Sequence, residues 1–140
     1  MKEFKASTTI HAPAEKIWAI LTQVATWPEW DPYCEKIEGR VAPGEKIKAF
    51  SKLSPGRAFP VKVTELVPNQ KMTWTGGMPL GLFKGVRTFS LTPKGDNTDF
   101  TLHEVFSGPM LALIGGSIPD MTDAFQKFVA GLKSRAEGSR

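Results

Sequence analysis

Among the side chains able to do chemistry, Arg87 and Glu104 are the two that spacing brings together. The run Lys94-Gly95-Asp96-Asn97 reads as the loop of a hairpin with arms near residues 83–93 and 98–107. With those four residues as the loop, Pro93 faces Thr98, and counting back sets Leu91 opposite Phe100, Phe89 opposite Leu102 and Arg87 opposite Glu104. All lie on one face, because strand side chains alternate with a period of two. That face is apolar, so the two charges are set among Phe83, Phe89, Leu102 and Phe106. A hydrated cross-strand ion pair is worth about 0.2–1 kcal/mol, and burial adds a desolvation cost that makes a net gain hard to reach. Two readings stay open. The pair is a structural contact that fixes hairpin register, or it is a polar patch in an apolar pocket, where Arg87 anchors a ligand carboxylate, carbonyl or phenol and Glu104 holds Arg87.

Other reactive types give less. His103 falls on the outward phase with Thr101 and Val105, and His11 sits at a strand–helix junction where it caps or solvates the helix start. Neither has a nucleophile beside it, and no serine lies in a Gly-x-Ser-x-Gly elbow, which argues against triad hydrolysis. The single cysteine, Cys34, cannot form an internal disulfide and reads as a small core or rim residue. Scattered histidines and one cysteine do not supply metal-ligand spacing. Gly76-Gly77 and Gly115-Gly116 are isolated pairs without the lysine of a nucleotide loop, and read as hinges or turns. No metal and no cofactor is expected.

The elements that must position these groups follow from periodicity. Residues 3–10 alternate as a strand. Residues 13–23 carry Ile17, Ile20, Leu21 and Val24 at helical spacing, with Pro13 at the opening helical position, where a missing N–H costs nothing. Trp27-Pro28-Glu29-Trp30 ends that helix. Short strands follow near residues 33–39 and 45–53, then a hairpin with arms of 58–67 and 70–76, then the hairpin of Arg87 and Glu104. From Asp120 to about Glu137, Met121, Ala124, Phe125, Phe128, Val129 and Leu132 form one stripe of an amphipathic helix. The order defines an α+β fold whose antiparallel sheet buries one face against the last helix, as a single domain over residues 1–140.

The sequence resembles the START-like (Bet v 1-like, SRPBCC) superfamily over nearly its whole length. The resemblance rests on Ile10-His11-Ala12-Pro13-Ala14-Glu15-Lys16-Ile17-Trp18, the Trp27-to-Trp30 bracket, Trp74, Phe83-Lys84-Gly85-Val86-Arg87-Thr88-Phe89 with Leu91 and Pro93, Glu104-Val105-Phe106-Ser107-Gly108, and the closing Leu132-Lys133-Ser134-Arg135-Ala136-Glu137. It implies a helix-grip fold: a curved sheet wrapped around a long C-terminal helix, with a hydrophobic cavity between them. It does not imply one ligand, because the superfamily includes lipid and hormone binders, aromatic polyketide cyclases and dehydrases, and chaperone activators.

Trp27, Trp30 and Trp74 read as pocket wall or rim, with core packing an open alternative for any one of them, while Trp18 belongs to the core. Two apolar stretches lack strand or long-helix periodicity, Met78-Pro79-Leu80-Gly81-Leu82 and Met110-Leu111-Ala112-Leu113-Ile114-Gly115, and form the mouth of the cavity. The expected ligand contacts are Trp27, Trp30, Trp74, Met78, Leu80, Phe83, Arg87, Phe89, Leu102, Glu104, Phe106, Met110, Leu113, Met121 and Phe125. The first functional expectation is binding of a small hydrophobic or aromatic molecule such as a lipid or polyketide. The alternatives are an aromatic cyclase or dehydratase, with Glu104 and Arg87 as catalytic candidates, and a protein-recognition module of the chaperone-activator kind.

The formal charge of +4 raises nucleic acid as a partner. Its lysines, however, alternate along strands between Arg40 and Lys71, as on the solvent face of an antiparallel sheet, without aromatics in phase for stacking. Nucleic acid is therefore not the expected partner, and a homodimer is possible. The longest apolar stretch is far short of the roughly 20 residues that span a bilayer, and a cytoplasmic setting is expected.

Overall fold

In the computed structural model, which describes residues 2–138, the alternation at the start becomes strand β1 (Lys2–Ile10), with Ala6 and Ile10 buried and Glu3, Lys5, Ser7 and Thr9 exposed. Helix α1 (Ala14–Thr22) buries Ala14, Ile17 and Leu21. Pro13 precedes it as the cap, with an extended backbone (φ −71°, ψ 154°), and does not occupy the first helical position as expected. Its carbonyl accepts the N–H groups of Lys16 and Ile17 at 3.1 and 3.3 Å. The Trp27-to-Trp30 bracket does not end α1; it forms a separate 3-10 segment (Val24–Glu29) containing Pro28, which cannot donate to a continuing helix. Trp18 is only partly buried, packed against the core from its edge.

Strands β2 (Cys34–Glu38), β3 (Lys46–Ser51), β4 (Ala58–Val67), β5 (Lys71–Gly77), β6 (Lys84–Lys94) and β7 (Asn97–Ser107) complete a seven-stranded antiparallel sheet in the order β1-β7-β6-β5-β4-β3-β2. Bulges between Cys34 and Lys36 and between Val63 and Glu65 bend β2 and β4, as the curl of the sheet requires. The β6–β7 turn is tighter than the four-residue loop expected, because Lys94 still pairs with Asn97. The register is nonetheless the one read from the sequence, with Leu91 opposite Phe100, Phe89 opposite Leu102 and Arg87 opposite Glu104.

After β7 the expected loop instead contains a helical turn, α2 (Leu111–Ile114), followed by a 3-10 turn (Gly115–Ser117). Helix α3 (Thr122–Gly138) then lies in the concave side of the sheet and buries Phe125, Phe128, Val129, Leu132 and Ala136. The architecture is α+β, a curled antiparallel sheet gripping a C-terminal helix. Among the described residues, no helix is long and apolar enough to cross a membrane.

Two positions carry local constraints of opposite kinds. Leu80 has a left-handed backbone (φ 61°), disfavoured for a side chain branched beyond Cβ by about 1–2 kcal/mol, and it is 97% exposed. Gly131, inside α3, lies against the backbone of Trp30, so that a Cβ there would collide with the Trp30 carbonyl oxygen. Helix propensity alone favours Gly131→Ala by about 1 kcal/mol, whereas overpacking against a backbone atom costs about 1–3 kcal/mol or more. Denaturant unfolding of Gly131→Ala is therefore expected to show a net loss of stability; a gain would place α3 further from Trp30 than described.

Candidate functional site

Strand register sets one row across the concave face: Phe4 on β1 pairs with Glu104 on β7, Glu104 with Arg87 on β6, Arg87 with Trp74 on β5, and Trp74 with Val63 on β4. Arg87 donates from Nε and Nη2 to the same oxygen, Oε1 of Glu104, at 2.9 and 2.6 Å. The two side chains are 27% and 12% exposed. The guanidinium carbon lies 5.0 Å from the centre of the Phe125 ring, so α3 holds the cation from the other side. Among the described residues the Nη1 group of Arg87 has no acceptor.

Asp31, which sequence reasoning missed, is a third charged group in this region. It is buried directly after the Trp27-to-Trp30 segment, and its Oδ1 accepts the Tyr33 N–H at 3.1 Å. Burial pushes its carboxyl above the usual aspartate range; the Tyr33 backbone and the charges of Arg87 and Lys52 offset this only in part. The available signal was an aspartate two residues before a strand, where an Asx turn forms readily, but that pattern does not report burial.

The aromatic residues divide into two groups. Trp27, Trp30 and Trp74, expected as wall or rim, are 2%, 7% and 3% exposed and are core residues. Trp27 stacks on Trp74 with ring centres 5.1 Å apart and meets Phe89 and Phe128 edge-on. Together with Phe89 and Leu102, which are fully buried, they fill the inner part of the space between sheet and helix. The Trp27 indole N–H donates to the Leu21 carbonyl at 3.1 Å, while the buried indole N–H groups of Trp30 and Trp74 have no acceptor among the described residues. The second group lies outward along the sheet: Phe83 stacks on Phe106, Phe106 meets Phe4 edge-on, and Phe4 leans on Phe125. Met121 is half-buried beside it.

The expected mouth residues Met78, Leu80 and Leu113 are exposed, as is Leu82, and the Met110 N–H donates to the Leu82 carbonyl at 2.9 Å, joining the two apolar stretches. Two concavities open at this end. One, of about 480 Å³, is walled by Thr75, Gly76, Met78, Pro79, Phe83 and Lys84; the other, of about 390 Å³, by Lys2, Phe4, Ile118, Asp120 and Thr122. Arg87 and Glu104 line neither, but Phe4 is the register partner of Glu104.

The remaining candidates point away from chemistry. His103 faces outward and its Nε2 lies 3.0 Å from Glu3 Oε2. His11 does not cap α1: its ring Nδ1 is 3.1 Å from Asn97 Oδ1 and its backbone N–H donates to Glu137 at 2.8 Å. Cys34 is buried, and burial together with Asp31 pushes its thiol up to about 12. As thiolate is the reactive form, a thiol reagent at pH 8 is expected to label Cys34 only when the chain unfolds; rapid labelling of the folded protein would contradict this burial.

The buried Asp31 has a consequence for stability. Its folded-state pKa is raised above the unfolded 3.8, so stability falls as pH rises from 3.8 through the folded value. Asp31→Asn keeps the acceptor for Tyr33 and removes the buried charge. The variant is expected to melt above the parent at pH 7, with the gain fading as pH approaches 3.8. Thermal melts across that range test this, and a variant less stable at pH 7 would contradict it.

Solved structures share the whole architecture. A Mesorhizobium loti protein superposes with a TM-score of 0.76 at 20% identity, covering 99% of this chain and 99% of that chain. The Aha1 dimer from Colwellia psychrerythraea gives 0.72 at 23% identity over 98% and 97% of the two chains. A START superfamily protein from Mycobacterium smegmatis gives 0.70 at 19% identity over 97% and 97%. No curated protein matches the sequence. Residues 1–137 match the model of the family described as polyketide cyclase/dehydrase and lipid transport, and the chain belongs to that family.

Proposed function

We propose that the protein binds a small, mostly apolar molecule carrying a hydrogen-bond acceptor, between the concave face of the sheet and α3, with Arg87 orienting it. The observation that carries the reading is a guanidinium side chain, 27% exposed between the sheet and α3, whose Nη1 group has no acceptor among the described residues while Nε and Nη2 are held by Glu104. A carboxylate, carbonyl or phenolate supplies the acceptor that Nη1 lacks, while Phe4, Phe106 and Phe125 supply apolar surface. Trp27, Trp74 and Phe89 already fill the inner space, so the ligand takes the outer part, entering from the end where the two concavities open. Family membership supports hydrophobic-ligand binding of this kind.

A second reading, catalysis of cyclisation or dehydration, is favoured by Asp31. A carboxyl raised by burial and sensing the charge of Arg87 is suited to proton transfer, with Arg87 polarising a carbonyl. In that case Asp31→Asn stops turnover but leaves binding in place.

The test is native mass spectrometry of the purified protein with identification of any co-purifying molecule, followed by binding of a panel of fatty acids, sterols and polyphenols. The double variant Arg87→Met/Glu104→Leu removes both charges at once and leaves no orphan partner, so its melting temperature is expected at or above the parent's. Binding is expected to weaken at least about tenfold, the loss of one charge-assisted hydrogen bond. A strongly destabilised double variant that binds as before would make the pair a structural contact and overturn the reading.

A further inference from the structure

All five large hydrophobic residues that are exposed among the described residues lie at one end of the sheet: Phe59 (39%), Met78 (41%), Leu80 (97%), Leu82 (42%) and Leu113 (77%). The register shows that this is one end. Ala58 pairs with Phe50, Gly77 with Lys84 and Lys84 with Ser107, so the β3–β4, β5–β6 and β7–α2 connections emerge side by side. The opposite end, made of the turns at residues 39–45, 68–70 and 95–96, exposes none. Lys2, Lys52, Arg57 and Lys84 stand around the apolar tips, and the carboxylates at the same end are engaged within the chain: Glu35 accepts the Gly56 N–H, Asp120 the Thr122 N–H and Asp123 the Tyr33 hydroxyl, while Glu3 lies 3.0 Å from His103 Nε2. Arg57 lies over the Phe59 ring and Lys2 reaches the Gly115 carbonyl, which places cations directly beside the exposed rings and leucines.

We propose that this end of the molecule docks on the surface of an anionic lipid bilayer. Leu80 supplies the main argument: its backbone is in a left-handed conformation unfavourable for leucine and its side chain is almost wholly in water, so no contact within the chain compensates either cost. Met78, Leu80 and Leu82 stand on the β5–β6 connection and Leu113 on α2, with Phe59 at the start of β4, a set of protrusions suited to insertion among acyl chains and poorly suited to a flat or grooved protein partner. The surrounding cations sit at the level where phosphate and carboxylate headgroups meet them. The two concavities open at the same end, so docking would bring the route to the interior against the lipid. The proposal concerns the exposed surface and stands whether or not Arg87 orients a ligand.

The experiment is co-sedimentation of the full chain with phosphatidylcholine vesicles, with and without phosphatidylserine, at low and high salt. The expected result is binding that requires phosphatidylserine and weakens with salt. Leu80→Asn, a residue that tolerates the left-handed backbone, combined with Leu113→Ser is expected to reduce vesicle affinity at least tenfold while the circular dichroism spectrum and melting temperature hold. Arg57→Glu/Lys84→Glu is expected to abolish binding to the anionic vesicles. No binding to either vesicle, equal binding without phosphatidylserine, or unchanged binding by the leucine variant would each overturn the proposal. So would a dimer of the parent chain in light scattering that the leucine variant converts to monomer without any vesicle binding, since the tips would then be a contact between two copies.

Discussion

Arg87 brings a permanent positive charge into the seam between the sheet and α3, and a charge held there has to be met on every side. Glu104 meets it along the sheet, in a register fixed by eleven paired positions of β6 and β7, and Phe125 meets it from the helix. Shifting that hairpin by one residue would turn Arg87 to solvent and put Thr88 on the concave face. The ion pair thus depends on the strand register, and the position of α3 depends on what the pair presents to it. The row continues through Trp74 to the Trp27 stack, so the polar and the aromatic parts of the interior are neighbours in one cross-strand line.

What the sequence made legible was what depends on local period. Arg87 and Glu104 could be paired because the strand period and the turn between Pro93 and Thr98 leave few choices; the tighter turn closes the same pairs. The stripe of α3 was legible for the same reason, since Phe125, Phe128, Val129 and Leu132 return at helical spacing. Depth was not legible. Trp27, Trp30 and Trp74 have the residue type that both a rim and a core select, and only the approach of α3 and β5 makes them core. Asp31 looks like an ordinary turn aspartate until Trp30, Tyr33 and the sheet close over it. Residues 111–114 are too few to show a helical period, and Gly131 reads as a weak helical position until Trp30 comes against it.

The fold also separates two kinds of surface along the strand direction. At one end no large apolar side chain is exposed among the described residues, the Gly95-Asp96 turn is tight, and His11 is tied to Asn97 and Glu137. At the other end the β5–β6 connection and α2 carry exposed leucines and Met78, and the two stretches are joined by the Met110–Leu82 hydrogen bond. Loops that serve only as connections are ordinarily polar; here the apolar tips, the two concavities and the outer aromatic group share one end.

The central claim is that Arg87, held by Glu104 and Phe125, orients the acceptor group of an apolar ligand. The most direct measurement is a nitrogen–proton correlation spectrum of the four tryptophan indole groups and the Arg87 Nε–H, recorded while a medium-chain fatty acid is added. The account predicts that the Arg87 signal moves as its Nη1 group engages the carboxylate, while Trp27, bonded to the Leu21 carbonyl inside the aromatic group, stays in place. Shifts confined to residues of the exposed leucine end, with Arg87 unmoved at saturation, would contradict it.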